Sequence, residues 1–226
     1  MRIKEAGDVN LAIYGAGGLG QEICDMADLH FAGRWDQVFF INDLIEGETD
    51  TEGHVTMPYN MFRERYTPEQ TVFVIATGEP YYRKVFFERI RIDGYKVTTL
   101  IHPEAEISRS AVIGEGVIIG RGCVVNHHVH LRENTCMMVY CVIGHDTEIM
   151  DHCQLSSFVS TGGHCRIGSC TFVGQNAVIR EHTQIGGFSI VGECANVIRD
   201  VSDEEVVAGN PAKVIYRNAK KRVFDR

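Results

Sequence analysis

One Trp and five Pro are all that 226 residues contain, and the 22 Lys and Arg are outnumbered by 30 Asp and Glu. A net charge of −8 disfavours a nucleic-acid binder held by a basic face. No apolar run reaches the roughly 18 residues that a membrane helix needs, and Met1-Arg2-Ile3-Lys4-Glu5 leads into no hydrophobic signal core. Eight cysteines are present, but no CxxC pair and no zinc-like spacing. The expectation is a cytoplasmic protein with no membrane insertion and with reduced thiols. What is present, 44% hydrophobic and 23% charged residues with 23 Gly, suits a folded chain and excludes a disordered or collagen-like one.

The composition is uneven along the chain. Of 20 aromatics, 14 fall in residues 1–100, whereas 7 of the 8 cysteines come after residue 122 and no Lys lies between Lys96 and Lys213. Two construction rules meet near Ile101-His102-Pro103, which predicts one domain over 1–102 and a second over 103–226.

The second part repeats with a period of six. From Ile107 to Val197, fifteen of sixteen positions at that step are aliphatic or Met, the exception being Thr161. Four residues after each stands a small one, from Ala111 through Cys123, Cys141, Cys153 and Cys165 to Ala195. Gly follows the aliphatic position directly at 114, 120, 144, 162, 168, 174, 186 and 192. A helix does not keep this period. Very short strands joined by tight turns do, with the aliphatic and small residues inward and the Gly expected in a turn conformation that a Cβ would strain. Three strands make a coil of 18 residues, the signature of a left-handed parallel β-helix. Cys123, Cys141, Cys153 and Cys165 then belong to the core, while Cys136, Cys170 and Cys194 fall at outward or turn phases and are candidates for reactive thiols.

The first part reads as a small Rossmann-like unit. The apolar run Val9 to Tyr14 leads into Gly15-Ala16-Gly17-Gly18-Leu19-Gly20 and a helical pattern from Gln21 to Leu29. Strand, glycine turn and helix in this order let the backbone approach a phosphate. A second strand, Gln37 to Asn42, ends at Asp43, where a ribose-binding acid belongs. A third, Thr71 to Ala76, ends at Thr77-Gly78, and a helix over about 80–92 precedes a last strand, Lys96 to Ile101. The unit is too short for both halves of a dinucleotide fold, so a nucleotide-linked ligand fits better than NAD.

The Gly-rich nucleotide turn, the Ile-His-Pro junction, the uninterrupted hexapeptide coils and the ending Ala208-Gly209-Asn210-Pro211-Ala212-Lys213 together resemble the sugar acetyltransferases of the sialic acid O-acetyltransferase and UDP-amino-sugar N-acetyltransferase family. The most specific segment is Val142-Ile143-Gly144-His145-Asp146, which is similar to the family's active-site motif. The resemblance implies a homotrimer with active sites at subunit interfaces that moves acetyl from acetyl-CoA to a nucleotide-linked amino sugar for surface glycan biosynthesis, with no metal. It makes His145 the general base, Asp146 its acidic neighbour, and Gly163 the N–H donor to the acetyl carbonyl, with room for the thioester where a side chain would stand. Gly163, Gly174, Gly192, Pro211 and Lys213 match positions near CoA, and Gly15, Gly17, Asp43 and Gly78 match the nucleotide-contacting turns. Consecutive strand residues point apart, so a bond between His145 and Asp146 requires turn geometry.

Three positions depart from the family pattern: Leu19 and Met138, where members carry His and Asn, and Glu79, where Asn is usual after Gly78. They bear on the choice of sugar and nucleotide. A sugar O-acetyltransferase is the close alternative, and a metal hydratase of the γ-carbonic anhydrase type, using His128 and His164, a remote one. His127, His128, His130, His152, His164 and His182 are expected at the surface or at subunit contacts.

Overall fold

The computed structural model describes residues 9–224; Met1 to Glu5, read above for a signal, lie outside the described residues. Two compact units share the chain, one formed by the chain up to Thr77 with Val85–Thr98, the other by Gly78–Lys84 with the chain from Thr99 onward. No helix among the described residues is long and apolar enough to cross a membrane.

In the first unit the central strands β1 (Asn10–Tyr14), β2 (Val38–Ile41) and β5 (Thr71–Ile75) are continuous apolar runs, as strands buried on both faces must be. β1 pairs in parallel with β2 on one side and β5 on the other. The sheet is completed by the hairpin of β3 (Thr49–Thr51) and β4 (His54–Met57) at one edge and by β6 (Lys96–Val97) at the other. Helix α1 (Gly18–His30) buries Ile23, Met26 and Ala27 along one stripe. After the short helix α2 (Tyr59–Arg65), α3 (Pro80–Ile92) begins with Pro at its first position, where no N–H is needed, and stops at Gly94 with φ +84°. The hairpin and α2 carry no sequence signal strong enough to be expected, because β3 is polar and exposed and α2 has only seven residues.

The second unit is the left-handed parallel β-helix. Strands of two residues stack with an 18-residue step in three parallel sheets, as in Ile119↔Met137↔Leu155↔Val173↔Val191. The expected strand Lys96 to Ile101 divides: Lys96–Val97 pairs with β5, while Leu100–Ile101 pairs with Ile118–Ile119 as the first rung of the prism. Ile101 lies one hexapeptide step before Ile107, so the repeat itself explains the split. The inward columns form one core cluster from Val117 to Val207. At its far end Glu205–Ala208 adds to one sheet, and Lys213–Arg217 pairs with it antiparallel.

The small inward column has a second requirement beyond size. Cys123 Sγ donates to the Met138 carbonyl at 2.9 Å, Cys141 to Ser156 at 3.1 Å, Cys153 to Gly168 at 3.1 Å and Cys165 to Arg180 at 3.2 Å. Thr135, Thr147 and Thr171 make the same bond with their hydroxyls, each to the carbonyl fifteen residues on. A two-residue strand leaves turn carbonyls outside the ladder, and a buried carbonyl without a donor is costly. Thiol and hydroxyl supply that donor.

The glycine column follows a different rule from the expected one. None of these glycines is in the left-handed region; that conformation falls two positions later, at Gly116, Gly122, His128, Asn134, Tyr140, Asp146 and onward. The glycines are needed because the next coil passes too close: a Cβ on Gly144 would lie 2.3 Å from the Gly162 carbonyl carbon, and one on Gly174 2.6 Å from the Glu193 nitrogen. Cys136 and Cys170, expected to be accessible, are 0% and 4% exposed, whereas Cys194 is exposed. Arg83, from the Gly78–Lys84 segment of the same unit, is near enough to Cys136 to feel its charge.

Candidate active site

Every sixth residue turns a corner with left-handed φ, so residues 18 apart share one corner. Asp146, at φ +56°, occupies such a corner, as do His128, His164 and His182. This is the turn geometry that two consecutive residues need to meet. His145 Nδ1 donates to Asp146 Oδ2 at 2.8 Å, and His128 Nδ1 lies 3.2 Å from Oδ1. The hydrogen bond from His145, joined by that from His128, holds the Asp146 carboxyl below the usual carboxylate range. With Nδ1 carrying the proton toward Asp146, Nε2 is the nitrogen of His145 that holds the lone pair. The ring is 59% exposed, open to a substrate.

Gly163 stands one coil further on, and a Cβ there would meet His145 Cε1 at 2.7 Å and Nε2 at 2.8 Å. The imidazole lies across the glycine backbone, in the place that a side chain at 163 would take. Among the described residues no acceptor takes the Gly163 N–H. Thr161, the one polar member of the aliphatic column, accepts the Gly144 N–H at 3.1 Å beside His145.

His164 presents its edge to His145, with ring centres 5.1 Å apart at 89°, and its Nε2 lies 3.9 Å from Asp146 Oδ2. His182 stacks on His164 at 4.7 Å. His128, His164 and His182 therefore belong to the surroundings of His145, which their spacing from Asp146 in steps of 18 could have revealed. His152 departs from expectation in the other direction. It is buried, and Asn134 Nδ2 donates to its Nδ1 at 3.0 Å. Asn134 in turn receives Arg83 Nη2 at 2.9 Å on its side chain and Arg83 Nε at 3.0 Å on its carbonyl. Arg83 is fully buried, and that burial lowers its pKa.

Gly174 and Gly192 lie one coil apart on one edge of the prism, and Pro211 and Lys213 are exposed in the terminal hairpin, after a cis Asn210–Pro211 bond. Met138 is half-buried, 3.9 Å from the Cys136 thiol. Glu79, expected to bear on the sugar or nucleotide, is 5% exposed and holds the tail. Its Oε2 accepts the N–H groups of Val223 and Phe224, both at 2.9 Å. Arg222 lies over the Tyr82 ring at 4.0 Å, and Phe224 reaches toward Gly78.

In the first unit three of the four glycines of the turn have separate reasons. Gly15, at φ +122°, has the Ala76 carbonyl where a Cβ would stand, at 2.4 Å. A Cβ on Gly20 would stand 2.0 Å from the Gly15 carbonyl oxygen, so its absence lets α1 pack closely on β1. Gly17 faces open space at the start of α1, where no side chain caps the helix N–H groups. Asp43 sits at the end of β2, already carrying three donors: Tyr59 N–H on Oδ1 at 2.9 Å, and Tyr14 OH and Arg89 Nη1 on Oδ2, each at 2.6 Å. Burial would raise its pKa, but these bonds and the Arg89 charge outweigh it and hold the carboxyl below its ordinary value. Arg89 also donates to Asn60 Oδ1 at 2.9 Å and lies over the Tyr59 ring at 4.1 Å. Nothing in the sequence links Arg89 to Asp43, because the contact crosses 46 residues.

A parallel α/β unit with a glycine turn, joined in sequence to a hexapeptide β-helix bearing an exposed His–Asp pair, defines the class of hexapeptide-repeat transferases. Residues 95–222, more than half of the chain, match the family described as the GMPPB C-terminal domain, and residues 10–90 match the PglD N-terminal domain. UDP-N-acetylbacillosamine N-acetyltransferase from Bacillus subtilis (strain 168) is 35% identical over 114 residues, which is 49% of this chain and 50% of that protein. The match thus spans about half the length of the curated relative. The acetyltransferase domain of PglB from Neisseria gonorrhoeae FA1090, solved in complex with acetyl coenzyme A, is 28% identical with a TM-score of 0.85, covering 92% of this chain and 100% of that one. Perosamine N-acetyltransferase from Caulobacter crescentus shares the fold at 23% identity, with a TM-score of 0.82 over 92% of this chain and 97% of that one. Over residues 95–222 the chain belongs to the family described as the GMPPB C-terminal domain, and its likeness to the acetyltransferase domain solved with acetyl coenzyme A extends over both units.

Proposed function

We propose that this protein transfers acetyl from acetyl-CoA to the amino group of a nucleotide-linked amino sugar of the UDP- or dTDP-4-amino-4,6-dideoxy type, in the cytoplasm and for surface glycan assembly. The observation that carries the reading is the His145–Asp146 pair at 2.8 Å, on an exposed imidazole that lies against Gly163, whose N–H has no acceptor among the described residues. His145 Nε2 takes the proton from the sugar amine as nitrogen attacks the thioester carbon. The negative oxygen that develops is met by the Gly163 N–H. The C–S bond then breaks as His145 returns the proton to the CoA sulfur. Asp146 keeps the imidazole in the required tautomer and stabilises its charged form between the two transfers.

Acetyl-CoA as acyl donor is supported by the neighbour solved with it, and an amine acceptor on a UDP sugar by the relative's name. Gly174 and Gly192 are assigned to the donor on one edge of the prism, and Lys213 offers a charge to its phosphates. Gly15, Gly17 and Asp43 are assigned to the nucleotide; Gly78, matched to a nucleotide turn by the resemblance, belongs to the second unit. A homotrimer with active sites at subunit interfaces is supported by the exposed, stacked Tyr140 and Phe158 beside Val142 and Val178. The test is release of free CoA thiol with a panel of UDP- and dTDP-4-amino-4,6-dideoxy sugars. Turnover by the wild type that a His145→Ala substitution abolishes is expected; turnover with none of the panel would sink the reading.

A further inference from the structure

The corner that carries Asp146 holds more histidine than acetyl transfer uses. His128, Asp146, His164 and His182 repeat at 18 residues, all with φ between 56° and 59°, so the register stacks them at about 4.8 Å per coil. Ligand atoms of His145, Asp146 and His164 all lie within 4.8 Å of one another. We propose that these three side chains bind a divalent transition cation of the zinc type, and that the bound ion silences the site.

Two imidazoles and a carboxylate are zinc ligands, whereas Mg²⁺ and Ca²⁺ prefer all-oxygen shells. A tetrahedral ion with bonds of about 2.0–2.1 Å places its ligand atoms roughly 3.3 Å apart. The 2.8 Å between His145 and Asp146 and the 3.9 Å between His164 and Asp146 bracket that spacing, and all three side chains are exposed enough to adjust. His128 holds the other oxygen of Asp146, and His182 braces the His164 ring, the outer contacts that orient ligands. An ion there occupies an imidazole lone pair of His145. The silencing therefore rests on the reading of His145 as the base; the binding does not. The ion is an inhibitor in this scheme, with no part in the reaction.

A second group, Cys24, Asp28 and His54 in the other unit, has ligand atoms equally close. It is the competing position, and the Cys24→Ser variant serves as its control.

The experiment titrates the full-length protein with zinc chloride alone by calorimetry, with magnesium chloride as comparison, and repeats it with Cys24→Ser, His164→Gln and His164→Asp. Zinc binding is expected at one ion per chain, unchanged in Cys24→Ser, at least tenfold weaker in His164→Gln and retained in His164→Asp, which restores a ligand. Binding unchanged in both His164 variants, or lost in Cys24→Ser, overturns the site. In parallel, zinc should stop thiol release and a chelator should restore it. Undiminished transfer at saturating zinc overturns the silencing alone. Zinc at the corner with no transfer by the zinc-free enzyme overturns the proposed reaction and leaves the site standing.

Discussion

Replacing Gly163 by Ala separates the position of the imidazole from every other part of the site. The added Cβ would stand 2.7 Å from Cε1, 2.8 Å from Nε2 and 3.1 Å from Nδ1 of His145, against about 3.5 Å or more for comfortable contact. The methyl group pushes against a ring that is 59% exposed, so the ring yields rather than the backbone. A displacement approaching 1 Å carries Nδ1 out of reach of Asp146, from which it is now 2.8 Å. Misplacing a reacting group by about 1 Å costs on the order of 10²-fold. Because Ala keeps the backbone N–H, this loss is attributable to the base and not to the oxyanion donor. Folding should hardly notice: Gly163 is not in the left-handed region, and removing a glycine limits the unfolded chain by about 0.4–1 kcal/mol. The expected result is a kcat for thiol release lowered by about 10²-fold, with a Tm within about 4 °C of wild type. Adding His145→Ala to Gly163→Ala should cost no more than His145→Ala alone, since both act on one group. A Gly163→Ala enzyme with kcat within threefold of wild type would refute the reasoning.

Other expectations follow from single contacts. Cys153→Ala removes the donor to the Gly168 carbonyl and should cost about 1–3 kcal/mol, whereas Cys153→Thr, the residue used at Thr135, Thr147 and Thr171, should cost clearly less in a urea melt. Arg83→Met leaves both Asn134 oxygens without their guanidinium and should destabilise by about 1–3 kcal/mol, read by the same melt. Asp43 has a depressed folded pKa, so its contribution is present above its unfolded value near 3.9 and is lost as pH falls through the folded one. Wild type should therefore lose Tm more steeply than Asp43→Asn on acidification below about pH 4. Glu79→Ala should release the tail, read as faster amide exchange at Val223 and Phe224 with the prism strands unaffected.

The prism was legible almost residue by residue, because a period of six leaves no freedom once inward and outward positions are fixed. The same regularity located His145 and Gly163 one coil apart before any coordinate. What it could not supply was the reason for each residue type. Glycine after the aliphatic position answers the backbone of the next coil, and the left-handed corners go to His, Asn, Asp and even Tyr and Phe. The three imidazoles around Asp146 were within reach of the pattern, but only by reading the corner column as a column. The Asp43–Arg89 and Glu79–tail contacts lay beyond it. They join residues 46 and more than 140 apart, and no local period reports such pairs.

The central claim is that His145 moves the proton in acetyl transfer. It is tested most directly by single-turnover reaction of the wild type and His145→Ala with acetyl-CoA and a UDP-4-amino-4,6-dideoxy sugar, following the N-acetylated product by mass. The account predicts product from the wild type and a rate at least 10²-fold lower from His145→Ala at neutral pH. Product formation by His145→Ala within a few fold of wild type would contradict it.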